Sequence, residues 1–168
     1  MNSFRTKLDA VLRYTIAFLM AGMVINVVWQ VLTRFVFPTP SSFTDELARY
    51  SMIWLGLLGA AYCSGQKSHL ALDLVPMNLT GARRRWLEIF IQVTILGFAA
   101  AVLVGGGGRL VWISWELGQT SAALQIKLAY VYLALPITGV LIAFYAVLDL
   151  FAAIRSTFTA AHSSGDIT

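Results

Sequence analysis

Hydrophobic and polar positions in this chain are sorted into whole segments rather than into the faces of short helices or strands. Apolar runs cover 14–37, 43–65, 86–112 and 128–154, with short polar stretches between them. Each run is long enough to cross a hydrocarbon layer of about 30 Å at about 1.5 Å per residue. Inside lipid every backbone amide needs a partner within its own segment, so each run is predicted to be a helix. The predicted fold is all-α: an integral membrane protein with four transmembrane helices, organised as a single domain over 1–168.

The connections refine this outline. The first run is too long for the apolar part of a signal peptide and ends without an A-x-A pattern, so it is expected to be a retained span. Between the second and third runs, 69–82 mixes Leu70, Leu72, Leu74 and Val75 with His69 and Asp73, and Pro76 interrupts it. That mixture predicts a short interfacial segment lying along the membrane surface. The end of the chain, 160–168, is polar and is expected to be a flexible tail.

Composition agrees with the pattern. Hydrophobic residues make up 58% of the chain and charged residues 12%, about half the usual charged share of roughly 25% in soluble domains. A net charge of +4 would suggest nucleic acid in a soluble basic protein. Here the cations flank apolar runs, so nucleic acid is not expected as a partner. Arg5, Lys7 and Arg13 precede the first run, Lys67 and Arg83 to Arg85 lie between the second and third, and Arg155 follows the fourth. Fewer cations stand on the other side, at Arg34, Arg49, Arg109 and Lys127. The excess predicts that both termini face the cytoplasm. Arg83, Arg84 and Arg85 then become candidates for contact with anionic lipid headgroups.

Candidate chemistry gathers around the first hairpin. Pro38 and Pro40 cannot continue the first helix, and Ser42 with Asp45 three residues on fits a capping box for the second. Asp45 and Glu46 complement the dipole of a helix start, and Arg49 follows at the spacings that face each other on a helix. This predicts a capped helix start with local ion pairing. Arg34 lies inside the first run about one turn before its end, where a charge is expected to find an acid of the next helix or a partner subunit. Asn26, Gln30 and Thr33 form a polar ridge on the same run. It suits hydrogen bonding within the bundle or to another subunit, and an ion pathway is disfavoured because no carboxylate sits near mid-membrane.

Small residues recur every four positions at Gly56, Ala60 and Ser64, and again at Gly97, Ala101 and Gly105, a spacing that suits close helix packing. The run Gly105 to Gly108 allows either a kink or a close backbone approach. The single cysteine, Cys63, excludes an intramolecular disulfide and any CxxC site. The two histidines, His69 and His162, fall outside the spans, so haem ligation within the bundle is not expected. The chain has no HExxH, phosphate-loop or dinucleotide motif, and no catalytic role or bound metal is expected.

With these residues placed, the chain resembles the small membrane subunit of tripartite ATP-independent periplasmic (TRAP) transporters, the DctQ-like family, over nearly its whole length. The strongest stretches are "WQVLTRFVF", "DELARYSMIWLGLLGAAY" and "SHLALDLV". They place Arg34 and Phe35 at the end of the first helix, then Phe43, Thr44, Asp45, Glu46, Arg49, Trp54, Gly59 and Ala60 along the second. His69 with Asp73, and Pro136 in "LALPI", complete the match. Phe43 stands where the family often has Trp, and Asp45 where it often has Glu.

The resemblance implies a multi-pass subunit of the bacterial cytoplasmic (inner) membrane that braces a large permease and helps dock an extracytoplasmic substrate-binding protein. It implies symport of an organic acid, such as a dicarboxylate, a sialic acid or another sugar or keto acid, with sodium coupling in the large subunit and no cofactor on this chain. Arg34, Asp45, Glu46, Arg49, Trp54, Asn26, Gln30, His69 and Asp73 are its candidate structural or partner-interface residues. Competing expectations are a self-sufficient small transporter and a membrane anchor of another complex.

Overall fold

The computed structural model describes residues 2–36, 42–66 and 82–163. Helices account for the regular structure of the described chain, with one isolated antiparallel bridge, Thr120 to Lys127, in the loop 117–127 and no strand among the described residues. Helix α1 spans Asn2–Val36 and α2 spans Ser42–Gly65. Helix α3 (Ala82–Phe98) runs through a π-helical segment, Ala99–Gly106, into α4 (Gly107–Glu116). Two further helices follow, α5 (Leu128–Tyr132) and α6 (Ala134–Ser163). The break between them has a clear cause. Pro136 has no N–H to offer the Tyr132 carbonyl and its ring crowds that carbonyl, so the helix is interrupted at Leu133 and restarts.

Three stretches are long and apolar enough to cross a membrane: Arg5–Val36, Ile89–Glu116 and Leu128–Phe151. They correspond to the first, third and fourth predicted runs. Helix α2 has 24 residues, about 36 Å at 1.5 Å per residue, but Arg49, Tyr50, Ser51 and its glycines dilute its apolar character. Among the described residues the stretches meeting both conditions therefore number three, against four predicted. The predicted interfacial segment falls almost wholly outside the described residues, and the predicted tail is helical as far as Ser163.

The helices stand in an open row. Helix α1 packs on α2, α2 on α6, and α6 on α3 and the π segment, while α5 joins α4, α6 and α2 at one end. Among the described residues, the backbone of α1 approaches neither α6 nor the α3 to α4 helix closely. Leu12, Leu58 and Tyr145, one each from α1, α2 and α6, form the buried cluster at the centre of this row, with Trp54 and Leu141 packed against it. The outer positions of α1 are exposed and apolar, Phe18, Ile25, Trp29 and Phe35 among them. Exposed apolar surface of this extent is ordinary for a helix whose solvent is lipid.

The glycines sort by position. A Cβ on Gly65 would lie 2.7–2.9 Å from atoms of the Tyr145 ring, so α2 and α6 touch there only because no side chain intervenes. Gly107 and Gly139 play the same part between α4, the π segment and α6. By contrast, Gly56 and Gly97 face open space, and Ala60, Ala101 and Gly105 are exposed. Of the two predicted small-residue stripes, only Ser64 is buried within the chain. Close packing instead runs through Ala61 and Gly65 on α2, and through Ala99, Leu103 and Gly107, whose four-residue repeat keeps to one face because the π segment has a wider turn than 3.6 residues.

Candidate functional site

Polar side chains concentrate at the two ends of the helix row. At the first-hairpin end, α1 and α2 are tied through the predicted polar ridge. Asn26 Nδ2 donates to the Thr44 carbonyl at 2.9 Å, and Gln30 Nε2 donates to Asp45 Oδ1 at 3.4 Å. Thr33 turns back on its own helix, with Oγ1 donating to the Gln30 carbonyl at 3.0 Å. Arg49 Nη2 donates to Asp45 Oδ2 at 3.0 Å, an i,i+4 pair with both side chains more than half exposed. Solvated pairs of this kind stabilise by a few tenths of a kcal/mol, about 0.3–0.5. Helix α2 already includes Ser42, one position past the cap where the predicted capping box put it, and the Asp45 oxygens are taken by Gln30 and Arg49.

Glu46 departs from its expected role. Its carboxylate turns away from Arg49 and accepts the Ser121 hydroxyl together with the backbone N–H groups of Ala123 at 3.1 Å and Leu124 at 3.2 Å. All three donors converge on Oε2, an arrangement suited to a charged acceptor. The loop it grips, 117–127, is largely self-bonded. Ser121 N–H donates to the Ile126 carbonyl and Leu128 N–H to the Gln119 carbonyl, at 2.9 Å each. Gly118 and Gln125 turn the chain with φ of 59° and 54°. Lys127 Nζ sits 4.0 Å from the centre of the Trp115 ring, which also packs edge-on against Tyr130. The result is an ordered loop pinned to the start of α2.

Arg34 is exposed and makes no ion pair among the described residues. The register explains this. Asn26 and Gln30 lie level with Thr44 and Asp45, so Arg34 stands one turn, about 6 Å, further along α1. Asp45 and Glu46 are also already engaged by Gln30, Arg49 and the loop. Trp54, the remaining candidate of α2, packs beside Leu58 in the central cluster. His69 and Asp73 lie outside the described residues, and Arg83, Arg84 and Arg85 occupy the first turn of α3.

At the opposite end is a cluster that sequence reasoning missed. Arg5 Nη1 donates to Asp149 Oδ1 at 3.2 Å, and its Nη2 donates to the carbonyl of Gly65 near the end of α2. Tyr145, fully buried, donates its hydroxyl to Asp9 Oδ1 at 2.5 Å, and the Arg5 guanidinium stands 5.6 Å from its ring centre. The residues join α1, α2 and α6 with one cation and two carboxylates. A signal was present in the chain: Arg5 and Asp9 are four apart, as are Tyr145 and Asp149, so each pair occupies one helix face at the same end of the protein.

Among the described residues, no three His, Cys, Asp or Glu side chains come together as a metal site would require. Both clusters end on helix termini or backbone groups and tie elements to one another. With three stretches long and apolar enough to cross a membrane, this defines a helical membrane component whose end clusters tie its own helices to one another.

The particular family follows from sequence comparison. The profile described as "Tripartite ATP-independent periplasmic transporters, DctQ component" matches residues 23–156, and the chain belongs to this family. The chain is 26% identical over 131 residues to the sialic acid TRAP transporter small permease protein SiaQ of Vibrio cholerae, covering 75% of this chain and 71% of that one. It is 29% identical over 107 residues to the C4-dicarboxylate TRAP transporter small permease protein DctQ of Rhodobacter capsulatus, covering 61% and 44% respectively. It is also 28% identical over 154 residues to the isethionate TRAP transporter permease protein DctMQ of Oleidesulfovibrio alaskensis, where the match covers 82% of this chain but 23% of the longer protein.

Proposed function

We propose that this chain is the non-catalytic brace of a sodium-coupled TRAP importer of an organic acid. It crosses the bacterial inner membrane four times with both termini in the cytoplasm, α2 being the fourth span beside the three more apolar stretches. It packs against a large permease subunit that carries the substrate and sodium sites, and its first hairpin helps receive the substrate-binding protein. The chain itself binds no cofactor.

The observation that carries this reading is the engagement of the polar groups along α1 and α2. Asn26, Gln30, Thr33, Asp45, Glu46 and Arg49 are each bonded within the chain. A translocation path needs polar groups that exchange partners with a cargo, whereas a brace needs them tied to its own helices. The names of the relatives support the cargo class: sialic acid, a C4-dicarboxylate and isethionate are all organic anions. The name of the longer permease protein DctMQ, matched over 23% of its length, supports a partnership with a larger permease unit.

The test is reconstitution. Proteoliposomes holding this chain with its large permease and binding protein are expected to accumulate an organic acid under an inward sodium gradient. Vesicles with this chain alone are expected to show no uptake, and vesicles lacking only this chain a severe loss. Uptake by the chain alone would establish the self-sufficient transporter instead, and full uptake without it would remove the bracing role.

A further inference from the structure

Of the four consecutive glycines at 105–108, packing requires one. A Cβ on Gly107 would lie 2.8 Å from Leu135 Cβ and 3.2 Å from Pro136 Cδ. A Cβ on Gly108 would meet nothing within 4 Å, and on Gly105 and Gly106 nothing nearer than a carbonyl oxygen of their own helix at 3.5 and 4.0 Å. Glycine weakens a helix relative to alanine, so three of the four are unexplained by the packing as it stands.

Their position supplies a reason. They overlap the end of the π segment Ala99–Gly106, whose i→i+5 bonding inserts an additional residue into the turn. Such a wide turn can move along a helix as successive amides exchange carbonyl partners, and every residue it passes turns by about 100° and shifts by about 1.5 Å. In most sequences that movement would drive a side chain into Leu135 and Pro136. Here a one-residue shift in either direction replaces Gly107 with Gly106 or Gly108, and the close approach survives.

The facing helix is built to match. A Cβ on Gly139 would lie 2.7 Å from Leu103 Cβ and 2.9 Å from Val104 Cγ2, so two consecutive side chains of the π segment already share that notch. Beside it Thr138 is fully buried, and its hydroxyl has no hydrogen-bond partner among the described residues. A packing with a single arrangement rarely leaves such a group unsatisfied.

We propose that the π segment and the glycine run form a register switch, in which α4 turns by one residue against α6 while α3 stays seated. Glu46 holds the present register through its bonds to the loop that follows α4. The proposal concerns this chain alone and stands whether or not the transport reading holds.

Distance measurements on the full-length chain in lipid nanodiscs test it. In a Cys63→Ser background, spin labels replace Trp112 on α4 and Val140 on α6, both exposed. Two distances are expected in the parent, and one in the Gly106→Ala, Gly108→Ala double variant. Glu46→Ala is expected to raise the ratio of shifted to present register roughly tenfold, the scale of a lost charge-assisted hydrogen bond. One unchanged distance in the parent and in Glu46→Ala would overturn the switch. So would a double variant that melts well below the parent, because those glycines would then serve the present packing.

Discussion

Glu46 on α2 accepts a hydrogen bond from Ser121 across 75 residues of chain, and the same carboxylate oxygen takes the N–H groups of Ala123 and Leu124. One side chain thus fastens the loop between α4 and α5 to the start of α2. Glu46→Gln keeps an acceptor but removes the charge, and Glu46→Ala removes both. Amide hydrogen exchange at Ala123 and Leu124 is expected to accelerate roughly tenfold in Glu46→Ala, with Glu46→Gln between it and the parent. Equal exchange in all three proteins would show that the loop is held by its own bonds.

At the other end, Gly65 and Tyr145 occupy space that no added side chain can share. Gly65→Ala is expected to lower stability in detergent by about 1–3 kcal/mol, the usual cost of overpacking. Gly56→Ala, made where a Cβ meets nothing within 4 Å, is expected to melt with the parent. Thermal unfolding of the pair separates crowding at Tyr145 from a general effect of removing glycine.

The Arg5 to Asp149 pair has a buried acid and a partly exposed base, with side-chain accessibilities of 6% and 28%. It should therefore contribute more than a solvated pair and less than a fully buried one. Asp149→Asn is expected to destabilise the chain by about 1–3 kcal/mol. A double-mutant cycle with Arg5→Met should return a coupling of at least about 0.5 kcal/mol. Additive effects would mean that Arg5 acts chiefly on the Gly65 carbonyl.

Arg34 is exposed beyond the start of α2, so Arg34→Ala is expected to leave the melting temperature of the isolated chain nearly unchanged, within about 0.5 kcal/mol. Its effect should appear on assembly, as weaker co-purification with the large permease. Loss of stability in the isolated chain would place its partner within the chain instead.

The helical class and the approximate positions of three spans were legible in the apolar runs, because backbone amides in lipid leave a long apolar segment little choice but helix. The Asp45 to Arg49 pair was legible for a similar reason: i and i+4 meet on any helix, whatever surrounds it. Tying Asn26 and Gln30 to α2 was one of two readings that the polar ridge left open. Glu46 was read as part of that local pairing, and the structure sends it to a loop that no spacing along the chain connects to it.

What the sequence determined by itself is therefore local: helices from apolar length, a polar ridge from its spacing, and the Asp45 to Arg49 pair from its place on one helix face. Tertiary structure decided which partners those groups meet. It sent Glu46 to Ser121 and Arg5 to Asp149, left Arg34 one turn beyond its expected acids, and put Gly65 and Gly107 at close helix contacts while a Cβ on Gly56, Gly97 or Gly108 would meet nothing within 4 Å. The reason is physical. Periodicity specifies the face on which a side chain stands, but contacts between helices depend on their relative height and rotation, and those are set by packing across the row.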